Sequence, residues 1–264
     1  MSKFNYVFAD SQHAKELERL RVIEKVCDPA SRRRILATGL TVGWHCLEVG
    51  AGAGSMIKWL ANAVGKSGKV TAVDIDTRFV ANAELPNVEV IKADIRHISL
   101  EDSSFDLIHA RYVLIHIADF QVALSKMLDL LKPGGWLVVE EPDFSAARAI
   151  AGNEAECQSV NKVNQSIFRM FADRGLDYSL GIKLPSNFQK LGLQQLIVEN
   201  DVPLSVGGSG VAAVMKLSAM QLADKYVATG EVTHEDIQRY CQFAENPSSW
   251  AVYQATVGVA GRKI

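Results

Sequence analysis

The segment Leu47-Glu48-Val49-Gly50-Ala51-Gly52-Ala53-Gly54 constrains this chain more than any other. A short apolar run, residues 46–49, ends in glycines at every second position, and a helical pattern over residues 56–64 follows at once. Glycine takes positive φ without a Cβ penalty and lets backbone N–H groups approach a ligand, so strand, turn and helix here make a cradle. The helix starting near Ser55 presents unpaired N–H groups and the positive end of its dipole, which suit a carboxylate or phosphate.

The same rhythm continues downstream. Strands are predicted over residues 70–73, 88–91, 105–110 and 136–140, and helices over 78–84 and 120–131; the turn Lys132-Pro133-Gly134-Gly135 introduces the last of these strands. Short strands alternating with helices imply βαβ crossovers and a parallel sheet covered on both faces. Upstream, residues 12–38 read as helix interrupted at Asp28-Pro29, with a second helix carrying Ile35 and Leu36. Beyond residue 142 the periodicity loosens. Residues 145–180 and 211–244 look helical, another helix closes over 187–191, and strands are expected at 196–202 and 252–259. The helical insertions are expected to cap a pocket. We therefore expect one α/β domain over residues 1–264: N-terminal helices to residue 40, a ligand-binding core over 41–142, and the remaining sheet with its cap over 143–264.

Composition narrows the function. With 264 residues, 48% hydrophobic and 22% charged, the chain can bury one sizeable core. A net charge of −2 with scattered Lys and Arg gives no footprint for nucleic acid, and the run Arg32-Arg33-Arg34 reads as a solvated helix face. The four cysteines form no C-x-x-C pair, which argues against zinc and disulfides and for a reducing cytoplasm; the six histidines lack metal-ligand spacing. No apolar run of roughly 18 residues occurs, so no membrane segment is expected. The oligomeric state is not legible.

Carboxylates near the ends of successive strands, with their neighbours, carry the chemistry. Asp74 ends the second strand twenty residues after Gly54, where a carboxylate can accept hydrogen bonds from both ribose hydroxyls; the plainer alternative is a helix cap, which Asp76 could supply instead. Asp94, twenty residues further on, can meet an adenine amino group while Ile75 and Ile95 face the ring. Arg111 and His116 follow the fourth strand. Arg111 could anchor an acidic substrate or a cofactor carboxylate, or form a structural ion pair; His116 could be a general base or a hydrogen-bonded helix-end histidine. Glu140 and Glu141 border the same region.

Together, Glu48 with Gly50, Gly52 and Gly54, then Asp74, Asp94, Phe105-Asp106-Leu107-Ile108 and Lys132-Pro133-Gly134-Gly135 before Trp136-Leu137-Val138-Val139 resemble class I S-adenosyl-L-methionine (AdoMet)-dependent methyltransferases. Ala110-Arg111-Tyr112-Val113-Leu114-Ile115-His116 is similar to the branch that includes ubiquinone and menaquinone biosynthesis methyltransferases. The resemblance covers roughly residues 40–142. It implies a Rossmann-like seven-stranded, mostly parallel sheet whose last strand, near residues 250–262, runs antiparallel between the fifth and sixth. It also implies that Glu48 and the turn Gly50, Ala51, Gly52 and Gly54 hold the methionine portion of the cofactor, Asp74 the ribose, and Asp94 and Ile95 the adenine. The family often has Cys or Ser at Ala51 and Thr at Ala53, both small changes.

The expected reaction is in-line attack of a small-molecule methyl acceptor on an activated methyl group, which asks the protein mainly for alignment and water exclusion. Two other readings stand beside it: a protein that binds AdoMet without turnover, and an NAD-dependent oxidoreductase. The second fits less well, because the spacing is G-x-G-x-G and Glu48 and Asp94 go unused. Residues 1–25 are expected to fold over the cofactor as a lid.

Overall fold

Eight α-helices and ten β-strands follow one another among the described residues of a computed structural model, which are Val7, Phe8, residues 12–80 and residues 85–264. Helix α1 (His13–Ala37) precedes β1 (His45–Val49), α2 (Ser55–Val64), β2 (Lys69–Asp74), β3 (Val88–Lys92), β4 (Phe105–Arg111), α3 (Phe120–Leu130) and β5 (Leu131–Asp143). Then come β6 (Arg148–Ala151), α4 (Glu154–Ala172), α5 (Leu180–Lys190), β7 (Gln194–Asp201), β8 (Ser205–Val206), α6 (Gly210–Gln221), α7 (Ala223–Val227), α8 (His234–Glu245), β9 (Trp250–Val252) and β10 (Ala255–Arg262).

The main sheet has seven strands in the order β3-β2-β1-β4-β5-β10-β7. β1 pairs in parallel with both β2 and β4, and β10 lies antiparallel between β5 and β7, as the resemblance implies. Strand order reverses between β1 and β4, and in open α/β sheets ligands bind outside the carboxyl ends of the strands at such a point.

Alternation along the strands sorts the core into two layers. Cys46, Leu107, Val138 and Ala260 face α2, whose Met56, Ile57, Leu60 and Val64 are buried. Leu47, Ile108, Leu137 and Val259 face the opposite layer with Leu124 and Met127 of α3 and Leu184 and Phe188 of α5. Glu48, His109, Glu140 and Gly258 fall on the first face, where apolar side chains would otherwise stand.

Several expectations need correcting. α1 is one helix with Pro29 inside it. Proline removes a single intrahelical hydrogen bond, and the side chains on either side, Asp28 and Ser31, are held by Arg111. The arginine run is not a solvated face. Arg33 is exposed, but Arg34 turns inward and is 3% exposed, because it lies against two carboxylate-bearing strands. Residues 145–180 are not all helical, since β6 occupies part of them and joins β9 and β8 in a small antiparallel sheet. The last strand is divided at Tyr253-Gln254, where the chain leaves the small sheet for the large one. Of the helix expected at 78–84, Arg78 to Val80 form a turn and residues 81–84 lie outside those described. Residues 1–6 and 9–11 of the expected lid also lie outside them.

Candidate functional site

The glycine turn between β1 and α2 is built on positive φ at Gly50 (80°), Gly52 (54°) and Gly54 (94°). At Gly50 a side chain is doubly barred, since a Cβ would also overlap Val113 Cγ2. At Gly52 a Cβ would meet nothing within 4 Å, so that stretch of backbone borders open space. The space is a cavity of about 240 Å³ outside the carboxyl ends of β1, β2 and β4.

Of the site residues named from the sequence, Glu48, Gly50, Ala51, Gly52, Asp74, Ile75, Asp94, Ile95, Arg111 and His116 line this cavity, whereas Gly54, Glu140 and Glu141 do not. Gly54 serves as the N-cap of α2. Asp74 closes β2, and its carboxylate accepts N–H bonds from Asp76 (2.8 Å) and Gly52 (3.4 Å). Burial still pushes its carboxyl above the usual range, because these two donors do not replace lost water. Asp94 is gripped by Arg96 at 2.6–3.2 Å, and this hydrogen bonding holds its carboxyl below the usual range.

α1 supplies what the sequence reading missed. Glu24 Oε1 accepts the Ser55 N–H at 2.9 Å and Asp28 Oδ1 accepts the Ser55 hydroxyl at 3.0 Å, so the start of α2 already meets carboxylates of the protein. Arg111 donates to Asp28 Oδ1 (3.0 Å) and Ser31 Oγ (2.8 Å); of its two expected roles, the ion pair is the one formed. Glu24, Asp28 and Ser31 recur at helical spacing, a polar stripe that marks a functional helix face once the sheet beneath it is known. Tyr112 was also missed. It has φ of 57°, and its hydroxyl meets Thr256 Oγ1 (2.6 Å) and accepts from Gln254 Nε2 (2.9 Å).

Beneath the cavity runs a buried chain of charges. His109 lies between Glu48 Oε2 (2.7 Å) and Glu140 Oε1 (3.2 Å), and Arg34 donates to Glu140 Oε2 at 2.7 Å and reaches Asp201 at the sheet's rim. Burial opposes charge on His109, but the attraction of Glu48 and the hydrogen bonds to both carboxylates outweigh it and push its pKa up to about 9. His116, buried and near Arg19, is pushed down to about 3 and stays neutral at pH 7. Glu141 accepts N–H bonds from Val113, Leu114 and Ile115 at 2.7–3.2 Å, yet burial drives its pKa up to about 8.

These shifts give one expectation for stability. His109 rises from about 6.5 to about 9 on folding, so its contribution is complete below the lower value and lost as pH climbs through the higher. Folded Glu141 keeps, between about 4.5 and 8, a proton the unfolded chain has released, so its share also falls as pH rises. Calorimetric melting should drop by several degrees from pH 6 to pH 9, and Glu141→Gln should remove part of the slope. A melting temperature flat over that interval would contradict both assignments.

Among the described residues no cluster of metal-binding side chains occurs, and no helix is long and apolar enough to cross a membrane. Residues 47–139 match the family described as "Methyltransferase domain". The core of this chain is thus similar to a methyltransferase domain.

Over 116 residues the chain is 33% identical to demethylmenaquinone methyltransferase of Staphylococcus aureus, covering 42% of this chain and 48% of the relative. It is 39% identical over 109 residues to an uncharacterised 37.1 kDa protein in a Streptomyces fradiae transposon, covering 39% and 32% respectively. The chain thus spans about a third to a half of the length of these curated relatives. In fold, the chain superposes on a phosphoethanolamine N-methyltransferase of Haemonchus contortus with a TM-score of 0.63 at 16% identity. That match takes in all of this chain and 60% of the other, whose structure holds phosphomonomethylethanolamine and S-adenosylhomocysteine.

Proposed function

We infer that this chain transfers a methyl group from AdoMet to a small-molecule acceptor. The observation that carries this reading is the placement of an under-compensated carboxylate, Asp74, and an open glycine turn on one cavity at the strand-order reversal. Asp74 would take the ribose hydroxyls, Ile75 and Ile95 the faces of the adenine, and Asp94 its amino group. Glu48 and the turn Gly50, Ala51 and Gly52 would border the amino-acid tail, and Arg111 would act through Asp28 and Ser31. A bound sulfonium cofactor brings an already activated methyl group, so this chain's residues have to align the acceptor and exclude water.

The far wall suits an apolar acceptor. Phe144, Ile167, Met170, Phe171, Met215 and Leu222 line it, contributed by the segment after β5, by α4, by α6 and by the residue that joins α6 to α7. α1 forms the rest of the enclosure, with Leu20, Ile23 and Glu24, and Val7 and Phe8 precede it as part of a lid. His116, neutral and weakly basic, fits an acceptor that does not need a strong base. That same weakness favours, as a second reading, a protein that binds AdoMet without turnover.

Titration calorimetry with AdoMet and S-adenosylhomocysteine tests the binding reading: heat of binding for at least one is expected, and its absence for both overturns the assignment. Transfer of label from methyl-labelled AdoMet into a metabolite extract separates catalysis from mere binding.

A further inference from the structure

We propose that His109 is a positioning residue for the cofactor's amino-acid tail, fixing Glu48 so that one carboxylate oxygen is presented to the α-ammonium group; this rests on the reading of the cavity as an AdoMet site. His109 does not line the cavity and is fully buried, so it acts only through its neighbours. Glu48 does line it and is 3% exposed.

The geometry divides the work between the two oxygens of Glu48. Oε2 is taken by His109 Nδ1 at 2.7 Å, and among the described residues no hydrogen bond reaches Oε1. A buried carboxylate with one oxygen open would otherwise rotate toward any donor. The imidazole on Oε2 prevents this and fixes the plane of the group.

The remainder of the chain keeps the imidazole in place. Glu48 and His109 stand directly opposite each other on β1 and β4. Glu140 on β5 takes the other ring nitrogen, and Arg34 from α1 neutralises Glu140 from above. Signs therefore alternate from Arg34 through Glu140 and His109 to Glu48. Arg34 reaches this position over Gly258 of β10, where a Cβ would overlap its guanidinium stem. An apolar row would have filled the same face with a simpler core; the charged row ends at the cavity.

The test separates the two ring nitrogens and the two halves of the ligand. In His109→Asn the amide can replace Nδ1 and keep the bond to Glu48, whereas in His109→Gln it extends toward Glu140 and releases Glu48. The ligands are S-adenosylhomocysteine and 5′-methylthioadenosine, which keeps the nucleoside but has no amino acid. Dissociation constants by calorimetry should rise about tenfold or more for S-adenosylhomocysteine in His109→Gln, as loss of one charge-assisted bond implies, and change little for 5′-methylthioadenosine. His109→Asn should stay close to the unsubstituted protein for both. Equal weakening for both ligands, or none for either, would overturn the proposal by reducing His109 to a core residue.

A readout on the unsubstituted protein guards against misfolded variants. With ¹⁵N-labelled histidine, the His109 ring signals should move on adding S-adenosylhomocysteine and stay put with 5′-methylthioadenosine; an unmoved signal counts against the role. If the unsubstituted protein binds no S-adenosylhomocysteine, the fault lies in the cofactor assignment and both readings fall.

Discussion

Asp74→Asn is expected to weaken AdoMet and S-adenosylhomocysteine binding by at least about a hundredfold while leaving the melting temperature of the free protein unchanged or higher. The loss follows from two ribose hydroxyls each giving up a bond to a charged acceptor, about 1.5–3 kcal/mol apiece. The gain in stability follows from the direction of the carboxyl's shift. Burial raises the pKa of folded Asp74, so the folded protein bears a charge it holds less comfortably than the unfolded chain does, and stability falls as pH rises through the interval between the two values. Asparagine removes that charge. Calorimetry and thermal melting on the same variant check both halves. A variant that loses binding and stability together would show Asp74 to be a structural cap instead.

Arg34→Ala is expected to lower stability by about 3–5 kcal/mol, the usual result of deleting one partner of a buried ion pair. For a chain of this size that corresponds to a fall in melting temperature on the order of 10 °C. Two features make the effect large. Arg34 is 3% exposed and Glu140 is fully buried, so water cannot take over the missing partner. Glu140 also holds His109, so the loss spreads along the row. Arg34→Met, which fills the space without a charge, should recover packing but not the pairing and fall in between. Denaturant unfolding measures both. Arg33, which is 57% exposed and pairs with Glu199 at the surface, provides the contrast: exposed pairs are screened by solvent, and Arg33→Ala should change stability little. Near-equal effects of the two substitutions would contradict the buried row.

The parts that depend on local geometry are legible in the sequence. Glycines at positive φ, short apolar strands with Glu48 inside the first, Asp74 closing the second and Asp94 just beyond the third, and the turn at Lys132-Pro133-Gly134-Gly135 follow from backbone sterics and from periodicity, both written in consecutive residues. They predicted the parallel core and the residues that line its cavity. What meets those residues follows from packing between elements. Arg34 reads as one of three surface arginines until the sheet shows Gly258 leaving room for it. His109 is one of six histidines without metal-ligand spacing until β1 and β5 bring a carboxylate to each ring nitrogen. Asp28 reads as part of a helix interruption, and Glu24 carries no signal, until α1 crosses the start of α2. Pairing across more than a hundred residues, as between Arg34 and Glu140, leaves no periodic trace, because the contact belongs to the packing of elements and not to the chain between them.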